Sequence, residues 1–212
     1  MFAFVILDLL SLKQYRKVFF FMPLLAVLMS WYMKADSIAA ILCLLCSMIA
    51  CTYLFSIQEK NLLDTLYCTL SLKRSNIVIA RYLSVFCIEM IAYIVGLLLI
   101  TILHAFSIGI DSFRGDFIAL NVGLFAISFF VSFQIPFFFR LGYQKAALIA
   151  YIPFFLPMLL ISATLTLPFD IFEFVRGITN GFILYGLPVI AGIGCLGLSC
   201  MISCRLYRQK NL

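Results

Sequence analysis

Residues 82–107 read YLSVFCIEMIAYIVGLLLITILHAFS. Glu89 is the one acid in the stretch, and no lysine or arginine interrupts it. At a 1.5 Å rise per residue such a helix reaches well over 30 Å, enough to cross the roughly 30 Å hydrocarbon core of a bilayer. A helix in water needs a polar face opposite its apolar one, and this stretch has none. In lipid, where backbone groups must bond within the segment, an α-helix is the structure open to it.

The pattern repeats on both sides. Apolar segments run over 18–33, 37–57, 117–139, 146–167 and 182–204, the first two separated by the polar break Lys34-Ala35-Asp36. Whole-chain composition agrees. Of 212 residues, 65% are apolar and 11% charged, against roughly half and a quarter in a soluble domain. Too few polar side chains remain to cover a water-facing surface, and disorder needs low hydrophobicity. The sequence predicts an all-α polytopic membrane protein with six transmembrane helices.

Residues 1–17 are too short to span. Phe2, Val5, Ile6, Leu9 and Leu10 fall near one helical stripe, and Asp8, Ser11, Lys13, Gln14, Arg16 and Lys17 supply polarity, mostly at the end. Positive charges follow the apolar run, where a signal peptide has them first. We read an amphipathic interfacial helix over 1–17, leading into a six-span domain over 18–212.

The net charge of +6 has a topological cause, so it does not point to nucleic acid. With a cytoplasmic N-terminus, the inner segments hold 12 basic residues: Lys13, Arg16, Lys17, Lys60, Lys73, Arg74, Arg81, Arg140, Lys145, Arg205, Arg208 and Lys210. The outer ones hold only Lys34, Arg114 and Arg176, beside the acids Asp36, Asp111, Asp116, Asp170 and Glu173. That asymmetry places both termini in the cytoplasm. Cys43 and Cys46 have C-x-x-C spacing, but no second pair or nearby His completes a metal site.

One inner connection is long, residues 58–81. Leu62, Leu63, Leu66, Tyr67 and Leu70 recur at helical spacing, with Glu59, Lys60 and Asp64 on or near the other side. This predicts an amphipathic helix. Ser71 to Ser75 breaks it, and a second short helix leads through Arg81 into the third span. Such a helix either packs on the bilayer or docks a soluble partner.

The segments Glu59-Lys60-Asn61, Tyr67-Cys68-Thr69-Leu70 and Arg74-Ser75-Asn76-Ile77-Val78-Ile79-Ala80-Arg81-Tyr82-Leu83 resemble permease subunits of ABC-2-type transporters. They look most like the small six-span branch that includes the bacterial phenol-soluble modulin exporters. The motif covers about 25 residues, and the span layout extends the resemblance to the whole chain. Ser71 stands where the family often has Pro after the Leu of the turn.

The resemblance implies a coupling helix, seated in a groove of a cytosolic ATPase, with Glu59, Lys60, Asn61, Leu63, Leu66, Tyr67, Leu70 and Arg74 as coupling residues. The chain lacks G-x-x-x-x-G-K-[ST], the loop that cradles nucleotide phosphates. The resemblance therefore implies a transport subunit and no enzyme, with ATP and Mg bound by a partner subunit. It further implies a second permease (the same or a related chain), an amphipathic peptide or other hydrophobic cargo moving outward, and a bacterial plasma membrane.

Inside the predicted spans, Glu89 has two readings: a translocation-path residue that attracts cationic peptide, or a hydrogen-bond partner for Arg81 or the N-terminal helix. His104 falls at the outer end of its span. Pro136, behind Gln134, predicts a kink, and Pro153 and Pro157 predict bends. Phe172 and Phe174 read as exit caps or headgroup anchors. Ala191, Cys195 and Ser199 form a small-residue stripe suited to close helix packing.

Two other function classes compete. A six-span substrate-binding module of a vitamin uptake transporter fits the size but not the long basic connection. A membrane-embedded enzyme needs paired catalytic groups, and Glu89 and His104 stand roughly 22 Å apart along one helix.

Overall fold

A computed structural model describes residues 2–33, 36–61, 74–106, 113–146 and 181–208. Helix α1 spans Phe2–Ser11, and a 3-10 turn, Leu12–Tyr15, joins it to α2, Arg16–Met33. Then come α3, Asp36–Lys60, α4, Arg74–Ala105, α5, Phe113–Leu141, and α6, Gly181–Arg208. Four of these are long and apolar enough to cross a membrane, over Ile41–Lys60, Ser75–Ala105, Phe113–Leu141 and Gly186–Tyr207, while Phe19–Tyr32 is apolar but shorter. The fifth apolar segment, the amphipathic stretch 62–70, and Pro153, Pro157, Phe172 and Phe174 lie outside the described residues.

Three boundaries differ from the sequence expectation. Glu59 and Lys60 form the last turn of α3 and belong to no separate amphipathic helix; the Asn61 N–H closes that turn on the Ile57 carbonyl at 3.0 Å. No Gly or Pro falls there to stop the helix. Among the described residues, the second short helix expected before Arg81 forms the first two turns of α4 and is not separate from it. Helix α4 runs unbroken from Arg74, because Ile77, Val78, Ala80 and Tyr82 are all buried and packing continues below the apolar run. Asp116, expected in an outer loop, is buried in the first turn of α5, where the helix dipole favours an acid. Helix α5 continues through Pro136 to Leu141.

Contacts fix the directions. Helix α4 runs antiparallel to α5: the Tyr93 hydroxyl donates to Asn121 Oδ1 at 2.7 Å, and the His104 ring lies 5.7 Å from that of Phe113. Helices α5 and α6 run parallel. Gly192 faces Ser128, Ser199 bonds the Ser132 carbonyl, and the Phe139 and Tyr207 rings are 5.3 Å apart. The end of the bundle holding Asp8, Gln58, Arg81 and Tyr207 is called the inner end here, after the charge count.

Burial follows the logic of lipid as solvent. Phe20, Trp31, Leu98, Leu187, Ile190 and Leu198 are exposed, whereas Ser84, Glu89, Asn121, Ser128, Gln134 and Ser203 are buried. Polar groups in a membrane protein turn toward the bundle interior, where they find partners. The main core joins α3, α4, α5 and α6 through residues such as Leu44, Phe55, Val85, Val131 and Leu196. A smaller cluster of Leu12, Ala50, Leu54 and Ile88 pins the 3-10 turn to α3 and α4.

Candidate functional site

The inner ends of α1, α3 and α4 meet around one buried cation. Arg81, 4% exposed, sets Nη1 at 2.7 Å from Asp8 Oδ1 on α1, while its Nη2 donates to Gln58 Oε1 on α3. The Ser84 hydroxyl, one turn along α4, donates to Asp8 Oδ2 at 2.9 Å. The guanidinium carbon lies 5.3 Å from the centre of the Phe55 ring. Arginine suits this place because its planar fork serves two acceptors at once and its face stacks on an aromatic ring. Burial pushes the Asp8 carboxyl up, against the charge of Arg81 and the Ser84 hydroxyl, which pull it down.

Glu59 makes a second junction. Its Oε2 accepts the Gln144 N–H at 3.0 Å, across the turn that follows α5. Gly142 makes that turn with φ of 80°, a left-handed conformation glycine adopts without steric cost. A Cβ on Gly142 would stand 3.5 Å from Glu59 Oε2. The carboxylate thus caps the helical turn 143–146 by satisfying an otherwise free N–H.

The other coupling residues named from the sequence divide as follows. Lys60 and Asn61 are exposed at the end of α3, and Arg74 opens α4. Leu63, Leu66, Tyr67 and Leu70 lie outside the described residues. Both flanks of 62–73 are therefore helix ends, each tied to another element: α3 through Glu59 to the α5 turn, and α4 through Arg81 to α1.

Glu89, 1% exposed, lies two turns beyond Arg81 on α4. Its Oε2 accepts the Ser128 hydroxyl of α5 at 2.8 Å. The partnership offered with Arg81 or the N-terminal helix does not form: Arg81, two turns away, bonds Asp8 and Gln58, and the partner of Glu89 is on α5. Glu89 Oε1 has no hydrogen-bond partner among the described residues.

A third polar group joins α4, α5 and α6. The Tyr82 hydroxyl bonds those of Ser199 at 2.6 Å and Ser203 at 2.7 Å, and Ser199 also bonds the Ser132 carbonyl. In the small-residue stripe of α6, Ser199 is buried and Cys195 half-buried, and at neighbouring Gly192 a Cβ would be 3.3 Å from Ser128 Oγ.

Asp8, Gln58, Ser84, Tyr82 and Ser203 were not singled out as site residues from the sequence. Asp8 carried a usable signal: it is the one charge within α1, a helix too short to span, and Arg81 offers the opposite charge where a span begins. Among the described residues no group of three or more His, Cys, Asp or Glu could hold a metal ion. An apolar groove of about 390 Å³ lies between α5 and α6, lined by Phe129, Phe133, Pro136, Leu198 and Ile202, with Arg140 at its inner mouth.

A family model described as ABC-2 family transporter protein matches residues 3–208 of the chain. No curated protein and no solved structure matches it.

Proposed function

The chain belongs to the ABC-2 transporter family, and from that premise we propose that it is the permease of an ATP-driven exporter that moves amphipathic peptides or other hydrophobic cargo outward. As a member of that family it is a multi-pass transport subunit, and the family implies an ATPase partner. In our reading the ATPase binds ATP and Mg and docks on segment 58–81 at the cytoplasmic face of a bacterial plasma membrane. Two permeases, identical or related, then line the path.

The observation that carries this reading is the anchoring of the segment's two flanks. A push on 62–73 is delivered to the ends of α3 and α4, and through Glu59 and Arg81 to α5 and α1. A connection without such anchors would absorb the displacement in its own torsions.

The parallel packing of α5 and α6 supports the six-span layout. The chain has to return to the opposite face between Leu141 and Gly181, and the apolar run 146–167 is long enough to do so. The family match replaces the vitamin-uptake alternative.

Glu89 is a path residue in this reading only if α4 and α5 part during the cycle, since it is enclosed between them. The test is affinity purification of the membrane complex. A stoichiometric ATPase whose hydrolysis rises with a cationic amphipathic helical peptide supports the function. A chain that purifies alone and binds the peptide without hydrolysis argues against it.

A further inference from the structure

We infer that the Asp8–Arg81 pair makes α1 a moving part of the coupling arm, carried by α4 as one body, and that Arg81 is a positioning residue for energy transfer. This rests on the reading of 58–81 as the docking segment.

Three observations converge. First, one guanidinium serves three elements. It bonds Asp8 on α1 and Gln58 on α3 from its own place on α4, and it covers the Phe55 ring. Gln58 stands two residues before the end of α3, and Arg81 two turns after the start of α4. The cation therefore bridges both arms of the docking segment at their roots.

Second, the two attachments differ in kind. The link to α1 is a charge pair whose carboxylate has both oxygens engaged, by Arg81 and by Ser84. Both donors come from α4. The link to α3 is made to neutral groups alone, the Gln58 amide and the face of the Phe55 ring. A buried charge pair is costly to break, because either partner left alone is a desolvated charge. When α3 and α4 are driven apart, these neutral contacts yield first and α1 stays with α4.

Third, α1 has an apolar outer face, with Ile6, Leu7 and Leu10 exposed. A helix of that kind slides along the lipid interface without losing buried surface.

The experiment uses the complex with its ATPase in lipid nanodiscs, on a background without native cysteines. Spin labels go on exposed Ile6 of α1 and exposed Ile79 of α4. The inference expects one sharp distance, the same without nucleotide and with ATP and vanadate. A second label pair, Ile79 with Ile41 of α3, is expected to change between those states. Asp8→Asn broadens the first distance and lowers peptide-stimulated hydrolysis by about ten-fold, within the ordinary range of coupling between sites, while the amount of bound ATPase stays the same.

A shift of the Ile6–Ile79 distance with ATP in the unsubstituted pair overturns the inference, as does full stimulation in Asp8→Asn. Should Asp8→Asn fail to accumulate, the unsubstituted pair still decides through the first criterion. Loss of the ATPase from the unsubstituted complex is the separate failure that removes the proposed function, and the inference with it.

Discussion

The Glu89 carboxylate, buried two turns above Arg81, takes its hydrogen bond from Ser128 across the α4–α5 contact at 2.8 Å. That bond sits beside Gly192 of α6, where a Cβ would stand 3.3 Å from Ser128. Three helices therefore meet at one polar point inside the bundle.

Ser128→Ala removes the one described donor to Glu89. The expected loss is about 1–3 kcal/mol, the ordinary cost of leaving a buried polar group unsatisfied. Glu89→Gln keeps an acceptor for Ser128 and is expected to melt within a few degrees of the unsubstituted chain. Thermal unfolding in detergent, followed by tryptophan fluorescence from Trp31, checks both. A path role for Glu89 predicts in addition that Glu89→Gln weakens stimulation by a cationic peptide while leaving basal hydrolysis unchanged.

Gly192→Leu places a branched side chain where a Cβ already stands 3.3 Å from Ser128 Oγ and Cβ. Helix α6 has to move away from α5, at about 1–3 kcal/mol for overpacking. Gly194→Leu, on the same helix with open space around it, is expected to be nearly neutral. Comparing the two melting temperatures separates contact from composition.

Tyr82→Phe deletes the hydroxyl that holds Ser199 and Ser203. About 1 kcal/mol is expected for such a bond. A double-mutant cycle with Ser203→Ala is expected to show the two changes less than additive, since they remove the same bond. Additive losses contradict the contact.

Gly142→Ala forces a Cβ into a left-handed conformation, costing about 1–2 kcal/mol. Glu59→Ala uncaps the 143–146 turn, for roughly 0.5–2 kcal/mol. Faster hydrogen exchange at Gln144 in both variants, with α3 protection retained, is the expected pattern.

Much of this architecture was legible in the sequence because lipid imposes a simple rule. Stretches nearly free of charge, such as 82–105, become helices, and the starts of α2 and α6 fall within two residues of their apolar runs. The rule is weaker where helices run past the apolar core. Lys60 and Arg74 extend α3 and α4 because backbone bonds and packing continue into polar sequence. Side-chain pairings were the least legible. Glu89 lies on the same helix as Arg81, which made them candidates for each other. The actual partner, Asp8, is 73 residues away in the chain, and only the packing of α1 on α4 brings it close.

In the proposed function, segment 58–81 seats the ATPase. Leu63, Leu66 and Tyr67, each changed to Glu in one variant, test it most directly by affinity purification through the permease. The expected result is loss of the ATPase from the complex, and of peptide-stimulated hydrolysis with it, while the permease still accumulates in the membrane. A variant that retains stoichiometric ATPase and full stimulated hydrolysis contradicts docking on 58–81.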